Sequence, residues 1–415
     1  MIAKAVDTIF RAFPTFFHSL NIVFNCQINN IFSVYCIMLQ VVKTYKYKLR
    51  NLSVAQTQKL NSWVGACRFV YNLALETKQY VYKAYGVNLS RFDLDKELKT
   101  LKDVEWIKDV PSQSLQDVLQ RLEKAYQSFF KGGGFPKWAK KGKYNSITLK
   151  SVNWDNCEKG RFVLPKLGEV KTFYSREIPK EAKLRRATII KESDGFYISI
   201  MFSTTIQPLP SNNQTVGLDW GVEHFLTTSD SEHIANPRLF QRYQKKLRVE
   251  KRSLSRKKKG ESNFKKQARK LAKLQTKIAR IRNDFQHKIS TGLILKYGSI
   301  SVENLKVRNM TGSAKGNAEE PGKNVKAKAG LNRAILDTAP SMFLDKLEYK
   351  SKWHGRTFVK INPKHTSQIC SECGHKDKES RITQAKFVCS SCNTELNADV
   401  NAAKNIEARA FASIR

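Results

Sequence analysis

Asp219, Glu303 and Asp399 are the residues whose surroundings could do chemistry. Asp219 closes an apolar run inside the glycine-flanked sequence GLDWG, and Glu303 closes a second run, GSISVENL. Asp399 falls in the first turn of the helix expected over NADVNAAKNIEARAFA, where the positive end of the helix dipole favours a carboxylate. Taken singly, each is an ordinary strand-end or capping acid. Taken in order, strand–Asp, strand–Glu and helix–Asp suggest an RNase H-like sheet with its acids gathered at one edge. Grouped carboxylates repel and raise one another's pKa. Two Mg²⁺ ions about 3.5–4 Å apart remove that penalty, activate water for in-line attack at phosphorus and stabilise the departing oxygen. The chemistry expected is phosphodiester hydrolysis.

A second group is metal-ligating. Cys370, Cys373, Cys389 and Cys392 form two C-x-x-C pairs within HTSQICSECGHKDKESRITQAKFVCSSCN. Two such knuckles put four thiolates at the corners of a tetrahedron, the geometry of a closed structural Zn²⁺ site with no open position for water. Gly374 supplies a tight turn, and Phe387 and Val388 a short strand, so the segment reads as a zinc ribbon. His365 and His375 flank it and are expected at the surface, not on the metal. Cys26, Cys36, Cys67 and Cys157 are scattered and behave as small apolar side chains.

The charge balance limits what those groups act on. The chain has 415 residues, with 74 Lys and Arg against 36 Asp and Glu, a formal net charge of +38. At 41% hydrophobic and 10% aromatic it can bury a core, which excludes a wholly disordered basic tail. A surplus this large favours a polyanion, because cations that neutralise phosphates release condensed counterions. Nucleic acid is the first candidate and an anionic membrane the second. Residues 12–42 lack Asp, Glu, Lys and Arg, but Asn21, Asn25, Gln27, Asn29 and Asn30 interrupt the apolar run, so no membrane role is expected. Residues 1–37 are expected to be an atypical extension, with translation starting at Met38.

The elements that must position these groups follow from patterning. KTYKYKLR, residues 43–50, alternates as a strand with a basic face. Ser53 caps a long helix carrying Leu60, Trp63, Val64, Cys67 and Tyr71, which stops at Gly86. A short helix follows Ser90, and a third runs from about Ser112 to Phe130 before three glycines. Residues 145–206 return to short strands, so a β-domain is split by the helices. Beyond the linker QPLPSNNQ, TVGLDWGVEHFLTTSD reads as strand, tight turn and returning strand. From Arg242 to Arg282 there are 18 Lys or Arg against Glu250 and Glu261. Leu271, Leu274, Ile278, Ile281, Phe285 and Ile289 give the second limb an apolar stripe, so a helical hairpin along a phosphate backbone is expected. Arg256, Lys257, Lys258, Lys259, Lys265 and Lys266 are its candidate nucleic-acid contacts. Residues 311–330 have the composition of a mobile loop. A helix over DTAPSMFLDKLEYKSKWHG and the strand RTFVKI then lead to the ribbon.

Together KTYKYKLR, ACRFVYNLAL, GFPKWAKKGKY, GLDWGVEHFLTTSD, SRKKKGESNFKKQARKLAKL, FQHKIS, VENLKVRNM, LEYKSKWHGR, TSQICSECG and NADVNAAKNI resemble the transposon-encoded TnpB (OrfB) proteins, relatives of type V CRISPR effectors. The resemblance runs from about Lys43 to the C-terminus. It implies an α+β multidomain chain. A split, wedge-like β-barrel would occupy residues 38–52 and 135–210, with a helical recognition module over 53–134. A RuvC-type, RNase H-like α/β nuclease domain would occupy 211–364 and 396–415, interrupted by a zinc ribbon over 365–395.

The same resemblance implies an RNA-guided DNA endonuclease of a transposable element. It would bind a transposon-derived guide RNA and target double-stranded DNA, cut beside a short motif, and work as a monomer with one RNA in the cytoplasm, at the nucleoid in a bacterium. Asp219, Glu303 and Asp399 match the catalytic acids, and the four cysteines the ribbon ligands. Two positions depart from the pattern: Asn397 stands where the family often has Asp, and Asn393 where the second knuckle usually has Gly. Rival functions are a guide-directed regulator without cleavage, an accessory transposase, and a binding protein whose first helices form a helix-turn-helix.

Overall fold

The computed structural model describes residues 22–23, 38–150, 152, 154, 160–317, 319–383 and 385–412. The expectations for residues 1–37, including Cys26 and Cys36, and for Cys157, lie outside these apart from the strand pair β1 (Ile22–Val23), which meets the start of β2 (Met38–Arg50). The chain divides into two units, Gln40–Thr205 and Ile206–Arg415, the latter with the residues up to Leu39.

In the first unit β2 is followed by helices α1 (Val54–Tyr85), α2 (Arg91–Leu101), α3 (Glu105–Lys108) and α4 (Ser112–Phe130). Strands β3 (Ser146–Leu149), β4 (Arg161–Leu164), β5 (Gly168–Phe173), β6 (Lys183–Glu192) and β7 (Gly195–Ile206) come next. They join β2 in one sheet of order β3-β6-β7-β2-β5-β4, so the helices are an insertion within it. Ser53 and Gln56 form a reciprocal capping box at the start of α1, and Gly86 ends it in the left-handed region at φ 69°. Sheet and helices share one apolar core: Leu60, Trp63 and Leu75 of α1 and Leu115 and Leu119 of α4 cluster with Ile147, Ile189 and Ile198. The Ser114 hydroxyl donates to the Thr148 carbonyl at 2.7 Å, and Arg121 reaches the Ser146 and Thr148 hydroxyls at 2.9 Å.

The second unit is built on strands β8 (Thr215–Trp220), β9 (His224–Thr228), β10 (His233–Ala235), β11 (Ser299–Glu303) and β12 (Thr357–Ile361), in the order β10-β9-β8-β11-β12. β8, β9 and β10 are antiparallel neighbours, whereas β11 lies parallel to both β8 and β12. The crossover from β8 to β11 carries the expected hairpin, α5 (Leu239–Ser255) and α6 (Ser262–Lys296). Leu247, Leu271, Leu274 and Ile278 form its own small core. Between β11 and β12 lie α7 (Val307–Met310), α8 (Val325–Thr338) and α9 (Pro340–His354). The ribbon strands β12's successors, β13 (Lys386–Val388) and β14 (Glu395–Asn397), form a separate pair, and α10 (Ala398–Ala412) ends the unit.

Two expectations need correction here. Residues 311–330 are not all loop: α8 starts at Val325, where Lys-Ala-Lys-Ala supplies strong helix formers, and the Lys328 ammonium caps the Met310 carbonyl at 2.7 Å. The helix expected from Asp337 instead starts at Pro340, after Ala339 turns left-handed at φ 49°. Proline lacks the amide a continuous helix would need and suits the first turn of a new one.

Two of the quoted sequence stretches prove to be partners. From FQHKIS on α6, Gln286 donates to the Thr338 carbonyl at 2.7 Å and accepts from the buried Lys346 ammonium at 3.0 Å. Ser290 accepts from the buried Lys350 of LEYKSKWHGR at 2.7 Å. Burial pushes the Lys346 pKa down, and these oxygens are what make an ammonium tolerable there.

Candidate functional site

Register places the first two acids. Leu218 of β8 pairs with Val302 of β11 in the parallel ladder, so Asp219 and Glu303 are the next residues at the same ends of adjacent strands. Leu218 and Val302 are buried in the core under α6 and α9, and alternation turns Asp219 to the opposite face. Gly217 shares that face, and a Cβ there would fall 2.0 Å from the Ala403 carbonyl of α10. The missing side chain therefore lets α10 lie directly on β8. Asp399 and Ala403, four residues apart, share a helix face, which brings Asp399 over the end of β8.

All three acids line one open cleft of about 290 Å³, with Trp220, Gly221, Val222, Glu223, Pro363, Thr366, Ser367, Arg381 and Ala402. Burial raises the Asp219 pKa well above the carboxylate range, and the Glu303 and Asp399 charges add to it, with Arg381 opposing. Burial raises Glu303 too, against a hydrogen bond from the Thr366 hydroxyl. The acids' oxygens do not all lie within 4.8 Å of one another; among the described residues the four cysteines alone form a group that tight. Hard oxygen donors around a half-buried, electrostatically frustrated carboxylate nonetheless fit Mg²⁺, and a two-ion site spans more than one ion's coordination shell.

Asp219 thereby costs the metal-free fold stability. Its folded-state pKa is raised, so stability falls as pH climbs from the ordinary carboxylate range through the raised value. Asp219→Asn is expected to raise the melting temperature of the metal-free protein at pH 7 by about 2–4 °C, the effect of about 1 kcal/mol in a domain of this size. The gain should vanish at pH values below the carboxylate range. Thermal scans across pH check this, and an unchanged or lowered melting temperature at pH 7 contradicts it.

Sequence reasoning missed Thr366 and Arg381. Arg381 approaches Asp399 at 3.6 Å and comes from between the two cysteine pairs, well before Asp399 in sequence. The segment carrying Thr366 is held by α10: Asn405 donates to the Thr366 carbonyl at 2.9 Å, and Asn401 donates to the Ile369 carbonyl at 2.8 Å. Asn401 and Asn405 of NADVNAAKNI were the available signal. Asn397 caps α10, its side-chain oxygen accepting from the Asp399 and Val400 amides at 3.0 and 3.2 Å. Asparagine serves as well as aspartate there, because a cap needs only an acceptor.

The four cysteines lie close enough to share one metal ion. Cys370 and Cys392 sulfurs lie 3.7 Å apart and Cys373 and Cys389 3.6 Å, against about 3.8 Å for a tetrahedron with 2.3 Å Zn–S bonds. The knuckles repeat one another. The Gly374 amide donates to the Cys370 carbonyl and the Asn393 amide to the Cys389 carbonyl, each at 3.0 Å. Gly374 and Asn393 are both left-handed, at φ 76° and 55°, and asparagine is among the few side chains that accept that conformation. Hydrogen bonding from Thr394 lowers the pKa of the Cys392 thiol, while bonding to the neighbouring sulfurs raises that of Cys373, the pattern of crowded thiols sharing protons. His365 and His375 are exposed and outside the cluster.

At the hairpin, Arg256, Lys258, Lys259, Lys265 and Lys266 are exposed and Lys257 is partly so, around the turn joining α5 to α6. Glu250 is no counterweight at the tip. It is buried between the limbs, where it accepts from Gln267 at 2.6 Å and pairs with Lys270 at 3.2 Å.

Residues 197–314 match the OrfB_IS605 family profile, described as "Probable transposase", and residues 341–406 match a "Cas12f1-like, TNB domain". The chain is 38% identical over 380 residues to "Putative RNA-guided DNA endonuclease InsQ" of Escherichia coli (strain K12), covering 89% of this chain and 93% of that protein. The chain belongs to the TnpB (OrfB) family. A second relative, "Putative RNA-guided DNA endonuclease" of Streptomyces pristinaespiralis, is 30% identical to this TnpB-family chain, covering 91% of each. Among solved structures, the Cas12f1-sgRNA-target DNA complex has a chain that aligns with a TM-score of 0.49 and 14% identity, covering 89% of this chain and 99% of that one. A helix-turn-helix profile matches residues 38–86 of this TnpB-family protein, where the structure has strand β2 and the single helix α1. No described helix is long and apolar enough to cross a membrane.

Proposed function

We propose that this chain is an RNA-guided DNA endonuclease that carries a transposon-derived RNA and cuts target double-stranded DNA beside a short motif. The observation that supports it most is the meeting of Asp219, Glu303 and Asp399 in one cleft, on a protein of formal net charge +38. The relatives' names point the same way. In this reading residues 211–364 and 396–415 are the RuvC-like domain, 365–395 the zinc ribbon, 53–134 the recognition module, and 38–52 with 135–210 the wedge. Asp219, Glu303 and Asp399 would hold two Mg²⁺ ions, whose contribution when bound is Lewis acidity at the attacked phosphate and the departing oxygen. Thr366 fixes the orientation of Glu303 by its hydrogen bond. Arg381, beside Asp399, offers the cleft a guanidinium fork for a phosphate oxygen.

Incubating the purified protein and its co-purified RNA with a target library and Mg²⁺ tests this. Cut ends beside a constant short motif are expected. The family description as a transposase makes joined ends the competing result, and joined ends without free cuts would overturn the nuclease reading.

The hairpin tip supplies an electrostatic expectation. Charge reversal of Lys257, Lys258 and Lys259 to Glu should weaken nucleic-acid binding broadly. It should also flatten the dependence of log K on log salt by about 2–3, since each phosphate contact contributes about 0.7–0.9 to the slope. Titrations at several salt concentrations measure it, and an unchanged slope removes the tip from the interface.

A further inference from the structure

The stretch GFPKWAKKGKY lies outside the acidic cleft, the ribbon and the helical hairpin, yet it is the most unusual surface of the first unit. Between Glu123 and Asp155 the sequence has seven lysines and no acid. The end of α4 and the loop after it hold aromatics out: Phe130, the last helical residue, is 71% exposed, Phe135 46% and Trp138 47%. It is also pinned. Pro136 is buried, and the Asn72 amide clasps Ala139 in both directions, accepting from its amide at 2.8 Å and donating to its carbonyl at 3.2 Å. Phe135 packs edge-on against Phe129 and Tyr126, at 5.2 and 5.8 Å between centroids. The Lys143 and Tyr144 amides both donate to the Lys140 carbonyl.

Trp138 therefore stands on a fixed backbone beside Ala139. Trp106 is similarly exposed, but its ring packs on Phe69 at 5.2 Å. No ring among the described residues pairs with Trp138, and no described carboxylate pairs with Lys137, Lys140 or Lys141, all exposed. An unpartnered indole on a pinned stretch of backbone, among free ammonium groups, matches a base face with its flanking phosphates. Base–aromatic stacking is sequence-tolerant, and cations on both sides hold the backbone. Duplex DNA keeps its base faces inside the stack, whereas RNA loops, bulges and ends splay theirs out.

We propose that Trp138 is a stacking platform for an unpaired RNA base, with Lys137, Lys140 and Lys141 contacting the adjoining phosphates. This rests on the reading of the chain as an RNA carrier and assigns that partner a surface.

The test uses the full-length protein without divalent ions, so binding is read apart from cleavage. The probes are a 20-nucleotide polyuridine RNA, a polythymidine DNA of equal length and a 20-base-pair duplex DNA, each followed by fluorescence anisotropy. Trp138→Ala should weaken RNA binding about 5- to 150-fold with no change of salt slope, since stacking releases no counterions. Trp138→Phe should recover most of the loss. Lys137→Ala with Lys140→Ala should lower the slope by about 1.4, at about 0.7 per contact for single strands. RNA binding by Trp138→Ala within twofold of the parent overturns the proposal, as does a loss confined to either DNA probe. If the parent itself fails to bind RNA, the RNA-carrier reading fails instead.

Discussion

Asp219→Ala should abolish Mg²⁺-dependent cleavage while leaving RNA binding intact. Asp219 lies where β8 ends beneath the first turn of α10, the half-buried member of a carboxylate trio and the one whose pKa is raised most clearly, by desolvation and by its neighbours Glu303 and Asp399. It is the acid most destabilised by its own charge, and so the one that gains most from a divalent counter-ion. Removing it takes away a ligand at the centre of the group, and the expected fall in single-turnover cleavage is about 10³-fold or more, equivalent to about 4 kcal/mol of transition-state stabilisation. The side chain adds no positive charge, so the electrostatic attraction for RNA should be untouched. Cleavage assays with matched RNA loading measure the first effect and anisotropy the second. Persistent cutting by the purified variant would refute the role given to Asp219. Combined with the Asp219→Asn melting experiment, a single position should then show activity lost and stability gained, the opposition expected where a site is held against its own repulsion.

Loss of the ribbon metal is the other large effect expected. The four sulfurs lie at tetrahedral spacing on a segment whose apolar core is little more than Phe387, Ala398 and the cysteines themselves. So small a core cannot order the knuckles, whereas metal binding supplies about 10–16 kcal/mol of folding free energy in zinc-finger peptides. The consequence reaches the cleft, because Arg381 and Thr366, which line it, both lie within residues 365–395. Cys370→Ser together with Cys389→Ser should lower bound zinc from one equivalent to none, by elemental analysis, and expose residues 365–395 to protease. Cleavage should fall even with Mg²⁺ in excess. A zinc-free variant that cuts like the parent would separate the ribbon from the cleft and sink this coupling.

Local chemistry made much of the architecture legible. Ser53, Ser90 and Gly86 bound helices at the positions their capping chemistry predicts, and the breaks at Gly132 and Gly221 fall where expected. Residues 311–330 were misread because Gly and Lys suggest a loop by composition, while the helix over 325–338 is secured by contacts from outside it, the Lys328 and Asn332 side chains bonding back to residues 310–312. Lys346 and Lys350 were unreadable for a related reason. A lysine on a helix is ordinarily a surface residue, and only the partner oxygens on α6 explain its burial.

The order of most strands and helices, the four-cysteine cluster and the three candidate acids were legible in the amino-acid sequence alone, because caps, period-two strands and C-x-x-C spacing are short-range physics. Tertiary structure alone decided that Gly217 is the contact letting α10 descend onto β8, that Asp219 is half-buried beside two other acids and Asp399 flanked by Arg381, and that Thr366 holds Glu303. Those facts depend on which distant segments meet, and the close approach of two backbones carries no periodic signature for a single chain to display.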